Sequence, residues 1–248
     1  MRFLERVMMG LAYHRQMNII IAVLTAVYTL FGLFLRTSAQ TSTANATNFS
    51  RRLTEISGSG TSNVANTVQH AHLTQANYYD IALLLVTMIY LVALFFVAMW
   101  FIHRQETEIG AYLGAGKRSL DVASQFALEG GISAAAGFSV VAVTVSLFSQ
   151  TLGHWCNSIN QYFFVHTINR APGANHHELM MGIKTMMTNH MTDFNPQSLL
   201  RGTGNPTAQM PTGITGFALV GVYAIGSVII VNLLVTAIQA HNVRRQLN

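Results

Sequence analysis

The chain has 248 residues, of which 51% are hydrophobic and only 9% are charged. An ordinary soluble domain carries about 25% Asp, Glu, Lys and Arg, so this composition excludes a typical soluble protein. The formal net charge of +5 does not gather into a basic, aromatic-rich patch, which argues against a nucleic-acid partner. The single cysteine, Cys156, excludes an intrachain disulfide.

Residues 1–16 predict a short cytoplasmic amphipathic helix. Apolar residues recur there at helical spacing, and the charged residues fall on another face. We expect this helix to lie on the inner membrane surface, the alternative being a simple extension of the first membrane helix. The apolar positions are Phe3, Leu4, Val7, Met8, Leu11 and Ala12.

Four stretches contain no Asp, Glu, Lys or Arg, and each is near the roughly 20 residues that cross a bilayer as helix. One ionised side chain at the centre of a span costs about 2.5 to 3.5 kcal/mol, so four clean stretches indicate four transmembrane helices. The sequence therefore predicts an all-α membrane protein. The predicted spans are residues 17–35, 81–102, 130–152 and 214–238.

Lys and Arg near the helix ends predict the orientation. The three short segments outside the spans, 1–16, 103–129 and 239–248, hold eight basic residues, whereas the two longer loops, 36–80 and 153–213, hold six. The short segments are therefore predicted to be cytoplasmic, together with both termini. The eight residues are Arg2, Arg6, Arg15, Arg104, Lys117, Arg118, Arg244 and Arg245.

The two longer loops are predicted to be extracytoplasmic. The first is rich in Thr, Ser, Ala and Asn, is broken at residues 58–60, and predicts a stalk from residue 63 because no Gly or Pro follows before the second span. The second is punctuated by Pro and Gly, which predict turns. Between those turns one short helical stripe is expected: Leu179, Met180, Ile183, Met187 and Met191.

Small residues in the third and fourth spans predict close helix contacts. They include Gly130, Gly131 and Gly137 in the third span and Gly221 and Gly226 in the fourth. Packing within one subunit and packing between subunits are equally compatible with this pattern.

The segment 103–129 carries the most specific pattern. It contains Glu108-Ile109-Gly110, five further residues, and then Gly116-Lys117-Arg118. This pattern resembles the cytoplasmic loop of FtsX/MacB-type ABC transporter permeases, which also lies between the second and third helices and follows an amino-terminal amphipathic helix.

The resemblance implies a segment that couples the membrane helices to a cytoplasmic ATPase. Ile109 and Leu113, one turn apart, are expected to form an apolar face that docks into a groove of the ATPase. Charged residues around them would set the register. The implied coupling residues are Arg104, Glu106, Glu108, Ile109, Gly110, Leu113, Gly116, Lys117 and Arg118.

The resemblance also implies the partners. The chain is expected to be a non-catalytic permease subunit in a bacterial plasma (inner) membrane, paired with a second copy or a paralogue. An accessory extracytoplasmic protein is a further candidate partner. It is expected to hold no cofactor, with ATP and Mg bound by the ATPase.

Residues 114–117 do not form a phosphate-binding loop, because Ala111 stands where that motif needs Gly and Arg118 where it needs Ser or Thr.

Two rival functions remain open at this point. One is a four-helix scaffold or signalling protein of the tetraspanin kind, although such outer loops are disulfide-rich and this chain has one cysteine. The other is a channel-like or solute-binding bundle without an ATPase. Both leave the Glu-Ile-Gly segment without a role.

Two further groups of residues are candidates for chemistry. Asp80 and Glu129 stand at predicted span ends, where solvated capping is favoured over proton coupling. The second loop holds a His- and Met-rich cluster without standard metal spacing, which favours a contact surface over a metal site. Its members are His176, His177, Glu178, Met180, Met181, Met186, Met187, His190 and Met191.

Overall fold

The computed structural model describes residues 2–57, 62–170, 181 and 214–247. Over these residues the chain is entirely helical, which confirms the predicted all-α class. The seven helices are α1 (Arg2–Tyr13), α2 (Arg15–Ser57), α3 (Ser62–Arg104), α4 (Glu106–Gly114), α5 (Ser119–Leu147), α6 (Ser149–Arg170) and α7 (Ile214–Leu247).

Four of these helices are long and apolar enough to cross a membrane, in agreement with the four predicted spans. The candidate membrane-spanning parts are Arg15–Asn48, Val68–Arg104, Ser119–Leu147 and Gly216–Arg245. The side chains of α3 support this placement, because large apolar residues such as Leu85, Ile89 and Phe96 are 55%, 68% and 65% exposed. A soluble monomer rarely shows so continuous an apolar surface, whereas lipid covers it at no cost.

The amino-terminal segment forms a helix of its own. α1 ends at Tyr13, His14 is a turn, and α2 starts at Arg15. The Asn18 side-chain amide donates to the carbonyl oxygen of Leu11 at 3.0 Å, which satisfies one of the free carbonyls at the end of α1. Val7 is buried while Met8 is exposed. The position of α1 on the membrane surface stays a prediction.

The first predicted outer loop is more helical than its composition suggested. α2 continues through the Thr- and Ala-rich residues to Ser57, so the expected irregular stretch after residue 36 is helix. Residues 37–57 contain no Gly or Pro that would break the helix. The Thr43 hydroxyl donates to the carbonyl oxygen of Ala39 at 3.0 Å. α3 already begins at Ser62, so helix precedes the predicted second span, and that this part stands outside the bilayer as a stalk stays a prediction. The break at 58–60 lies outside the described residues.

The second predicted outer loop begins with a helix that the sequence analysis did not predict. α5 ends at Leu147 and α6 follows at Ser149 after a turn at Phe148. The hydroxyls of Ser158 and Thr167 bond to the carbonyls four residues earlier, so these polar residues are accommodated in the helix. The predicted stripe at Leu179–Met191 lies outside the described residues, as does the His- and Met-rich cluster except Met181.

The chain divides into two compact units. The first comprises Met1–Leu33, Leu84–Ser146 and Ile214–Asn248, and the second comprises Phe34–Leu83 and Leu147–Gly213.

Buried hydroxyl groups tie three helices together inside the first unit. The Tyr90 hydroxyl lies 3.1 Å from Thr25 Oγ1 and donates to the carbonyl oxygen of Ala224 at 3.1 Å. The Tyr28 ring stacks on Tyr90 with their centroids 4.1 Å apart. Because no water is present in hydrocarbon, such polar groups must find partners within the protein, and these bonds join α2, α3 and α7.

The small residues of the third span are used for contacts within the subunit. A Cβ on Gly137 would collide with the carbonyl oxygen of Ala22 in α2, and one on Gly131 would lie 2.8 Å from the Ile229 side chain of α7. A Cβ on Gly226, by contrast, would meet nothing within 4 Å. Intrasubunit packing therefore accounts for Gly131 and Gly137.

The second unit has a polar interior around Cys156 and Asn160 of α6. The Tyr79 hydroxyl donates to Asn160 Oδ1 at 2.6 Å, and the Gln75 amide donates to the Asn160 carbonyl at 3.0 Å. Cys156 Sγ lies 3.2 Å from Ser38 Oγ, so α2, α3 and α6 are joined by side-chain bonds.

Asp80 lies at the surface of the second unit. Its side chain is 55% exposed, and its Oδ1 atom is 3.7 Å from the Arg36 guanidinium. The exposure agrees with the prediction for Asp80, but the predicted capping role is wrong, because Asp80 lies in the interior of α3. An exposed ion pair of this kind contributes little stability, about 0 to 1 kcal/mol.

Gly137→Ala should destabilise the protein while Gly226→Ala should not. The first change inserts a methyl group against the Ala22 backbone, and overpacking of this kind costs about 1–3 kcal/mol. The second adds a methyl group in open space, where Ala favours helix over Gly by up to about 1 kcal/mol. Thermal unfolding in detergent would measure both, and equal midpoints for the two variants would contradict the assigned contact.

The Cys156 thiol should be unreactive in the folded protein. It is 4% exposed, and burial raises its pKa, so the reactive thiolate is scarce. Maleimide should modify it at least about tenfold more slowly than a cysteine placed by Asn157→Cys in the Cys156→Ser background, because residue 157 is exposed. Equal labelling rates in the same detergent would refute this placement of α6.

Candidate functional site

The segment that carries the family resemblance forms α4, a helix between α3 and α5. Gln105 forms a turn that separates α3 from α4. Its carbonyl oxygen accepts a hydrogen bond from the Ile109 amide at 3.0 Å, and this bond starts α4. Glu106 and Glu108 lie in the first turn. Negative charge there is favourable, because the amino end of a helix carries partial positive charge.

Ile109 anchors α4 to the helices around it. Its side chain is fully buried in a cluster with Ile102 of α3, Val122 and Phe126 of α5, and Val235 of α7. Burying one such side chain stabilises a protein by about 1.5–3 kcal/mol. α4 is thereby held against three of the candidate membrane helices.

This burial corrects the predicted docking face. Ile109 is 0% exposed and Leu113 packs partly against the same cluster, so the apolar side of α4 faces its own subunit. The periodicity was real, but an apolar stripe does not reveal whether the chain itself or a partner covers it. An Ile109→Asp variant would consequently report on folding and not on docking.

Gly116 is the glycine of the motif whose backbone conformation requires glycine. Its φ is 81°, in the left-handed region that favours glycine. Gly116 N donates to the Leu113 carbonyl at 3.0 Å and Lys117 N to the Tyr112 carbonyl at 3.2 Å, the paired bonds of a Schellman helix end. The Lys117 ammonium lies 3.8 Å from the centre of the Tyr112 ring and closes over this turn.

Gly110 has no comparable requirement. A Cβ at this position would lie 3.9 Å from Val243 of α7, an ordinary van der Waals contact. The helix α4 does pack against α7 here. An alanine at position 110 is therefore sterically acceptable.

The outward side of α4 and its flanks is polar and charged. Arg104, Thr107, Ala111 and Arg118 are exposed, and Glu106 is half-buried. The Glu106 carboxylate lies 3.7 Å from His103 Nδ1. A partner that approaches α4 would meet this surface, which mixes both signs of charge, and not the apolar face.

A second group of residues, missed in the sequence analysis, joins α1 to α4. His14 is 9% exposed, and the Gln105 side-chain amide lies 2.9 Å from its Nε2 atom. The Glu108 carboxylate is 3.6 Å from the same nitrogen. The rings of Phe101 and Tyr13 meet the imidazole edge to face, at centroid distances of 5.3 and 4.9 Å.

Burial determines the charge state of His14. Desolvation lowers its pKa, and the nearby Glu108 carboxylate opposes this shift only in part. The imidazole is therefore neutral at pH 7. The only sequence signal for His14 was its place at the predicted end of the amphipathic helix.

Glu129 differs from the expectation of a solvated capping residue. It lies well inside α5 and is 2% exposed. Gln125 donates to its Oε1 atom at 3.2 Å, while Oε2 has no hydrogen-bond partner. A Cβ on Gly10 of α1 would collide with this carboxylate, so α1 and α5 are in direct contact. Because α5 is continuous from Ser119 to Leu147, Glu129 lies in its interior and does not cap a helix end.

A cleft of about 600 Å³ lies beside α1 and α4. Its lining includes Arg6, His14, Glu108, Tyr112 and Gln125. Burial raises the pKa of the Tyr112 phenol, and Glu108 adds to the shift, so the hydroxyl stays protonated. The described residues contain no group of three His, Cys, Asp or Glu side chains that could hold a metal ion.

His14 should make the wild type lose stability in mild acid relative to His14→Gln. The folded protein binds a proton at His14 more weakly than the unfolded chain, in which the pKa is about 6.5. The contribution of the neutral His14 is therefore complete above about pH 6.5 and is lost as the pH falls from that value through the lower pKa of the folded state.

Thermal unfolding midpoints at pH 7.5 and 5.5 would measure the effect. His241→Gln is the matched control, because His241 is exposed on α7. Equal pH dependence in the wild type and in His14→Gln would disprove the assignment.

The chain was compared with protein families, curated proteins and solved structures. No family model, curated protein or solved structure matches it. The case for a function therefore rests on the residues and contacts described above.

Proposed function

We propose that this chain is the membrane-embedded permease subunit of an ABC transporter of the FtsX/MacB kind, driven by a separate cytoplasmic ATPase. The observation that carries the proposal is α4, a short helix with a polar outer side that is fixed by Ile109 to α3, α5 and α7. The ATPase binds ATP and Mg, and this chain transmits motion without catalysing a reaction.

The packing of α4 supports a role in transmission of force. A docking helix on a flexible loop would move without moving the spans. Here Ile109, Ile102 and Phe126 interdigitate in one cluster, and packed side chains of this kind resist deformation. Displacement of α4 by a closing ATPase would therefore displace the ends of the helices around it.

Helix length supports transmission to the far side of the membrane. α2 and α3 have 43 residues each, which corresponds to about 65 Å at 1.5 Å per residue. The hydrocarbon core is about 30 Å thick, so each helix has a part outside it. Motion carried by such helices would reach the segments that face the extracytoplasmic side, and substrate need not pass through the bundle.

The subunit is proposed to act with a second copy or a paralogue. ABC ATPases close as dimers, so two docking helices are needed for one ATPase pair. The exposed apolar side of α3 offers a surface that lipid or a second permease would cover. An accessory extracytoplasmic protein would bind to the segments outside the membrane.

Added negative charge on the outer side of α4 and on its carboxyl-terminal flank should release the ATPase without unfolding the permease. Ala111→Glu with Arg118→Glu changes two exposed positions and leaves the Ile109 cluster intact. Arg118→Glu reverses a charge that would contribute to register and partner choice. The tagged protein, purified from its native host in mild detergent, should bring down an ATP-binding cassette subunit in the wild type and about tenfold less in the variant.

Arg245→Glu is the control, because Arg245 is exposed at the end of α7. It reverses a charge that belongs to α7 and not to α4 or its flanks, and it should keep the ATPase bound. If mass spectrometry finds no such ATPase with the wild type, or equal amounts with all three proteins, the proposed function is wrong. A scaffold protein without an ATPase would give the first of these results.

A further inference from the structure

A groove that shares Arg104 and Thr107 with the outer side of α4 and its flanks opens where α2 begins and α3 ends. Its volume is about 610 Å³. The residues that matter for its chemistry are Arg15, Ile20, Trp100, Arg104 and Gln105. All of them belong to the first unit.

The position of the groove relative to the bilayer follows from its two arginines. Arg15 is the first residue of one candidate span and Arg104 is the last residue of another. Because both line the same groove, they mark the same membrane surface. That surface is the level of the lipid headgroups.

The charge in this groove is available to a ligand. Arg15 and Arg104 are exposed, and neither forms an ion pair with a carboxylate in the part of the chain that the structure describes. Glu108 also lines the groove, and its carboxylate lies 3.6 Å from the neutral His14 imidazole, so its negative charge leaves the two arginines with a net positive charge there. Guanidinium groups bind phosphate oxygens in a bidentate manner, so two of them suit a phosphate.

The aromatic residues of the groove suit an interface. Trp100 is 54% exposed and Tyr13 is 82% exposed, and such rings concentrate where headgroups meet hydrocarbon. The Arg104 guanidinium lies 5.1 Å from the centre of the Trp100 ring. This contact holds the charge beside the ring and toward the groove.

The apolar end of the groove continues along the outside of α2. Ile20 lines it and is 40% exposed, and further along the helix Val23 and Val27 are 57% and 49% exposed. A ligand with a phosphate at one end and an acyl chain at the other would fit both parts. Free phosphate would use only the arginines.

From this arrangement we infer that the groove binds an anionic phospholipid, with its phosphate between Arg15 and Arg104 and its acyl chain along α2. Basic pockets at helix ends on a membrane surface recognise such headgroups. The bound lipid would fasten the α1–α2 turn and the end of α3 to that leaflet. This inference depends on the membrane placement alone and is independent of the ATPase.

The test is native mass spectrometry of detergent-purified protein with equal amounts of phosphatidylglycerol and phosphatidylcholine. Wild type should retain phosphatidylglycerol about tenfold or more over phosphatidylcholine, and Arg15→Gln with Arg104→Gln should abolish that preference. Arg244→Gln with Arg245→Gln removes the same charge from exposed sites on α7 and should keep it. Equal loss in both double variants, or no preference in wild type, would overturn the inference.

Further experiments distinguish a bound lipid phosphate from free phosphate and provide a variant in case the first one misfolds. Inorganic phosphate at millimolar concentration should not displace the lipid, and complete displacement would assign the groove to free phosphate instead. Trp100→Leu keeps the charge but removes the ring, and should lower lipid retention several-fold. If the glutamine variant fails to fold, Arg15→Lys with Arg104→Lys replaces it, and undiminished retention there would refute bidentate recognition.

Discussion

The burial of Ile109 among Ile102, Phe126 and Val235 is the contact on which the arrangement of the first unit depends. α4 has only nine residues, and isolated helices shorter than about 12–15 residues are marginal in water. Its stability therefore comes from packing and from the ends that Gln105 and Gly116 provide. The same packing turns the polar side of α4 outward, where a partner would bind, and holds this small helix against three longer ones.

The remainder of the first unit combines close apolar contacts with a few buried polar groups. In hydrocarbon there is little hydrophobic gain from helix contact, so small residues such as Gly137 and hydrogen bonds such as Tyr90 with Thr25 contribute more than they would in water. The second unit uses the same chemistry, with Asn160 bonded to Tyr79 and Gln75. The two units thus share one principle: helices are joined by a small number of satisfied polar groups.

The end of the bundle that carries α1 and α4 concentrates ionisable groups. Glu129 is buried against Gly10, His14 is enclosed by aromatic rings, and Glu108 faces His14. Buried ionisable residues are costly, so they are retained where they position an element or respond to a partner. Here they fasten α1 to α4 and α5, beside the arginines of the proposed lipid groove. ATPase docking, helix packing and lipid contact would therefore act on neighbouring residues.

The sequence by itself determined the membrane class and the four spans, because the cost of placing charge in hydrocarbon is written directly into composition. It also supplied Gly116 for the turn after α4, since few residues other than glycine adopt that conformation readily. Only the tertiary structure decided that Ile109 faces its own subunit, that Glu129 is buried, and that His14 meets Gln105. Periodicity reports which side of a helix is apolar, but what covers that side depends on residues far away in the chain. The extra length of α2 and the helix α6 were missed because Thr, Ser and Asn are weak helix formers whose behaviour depends on local hydrogen bonds and packing.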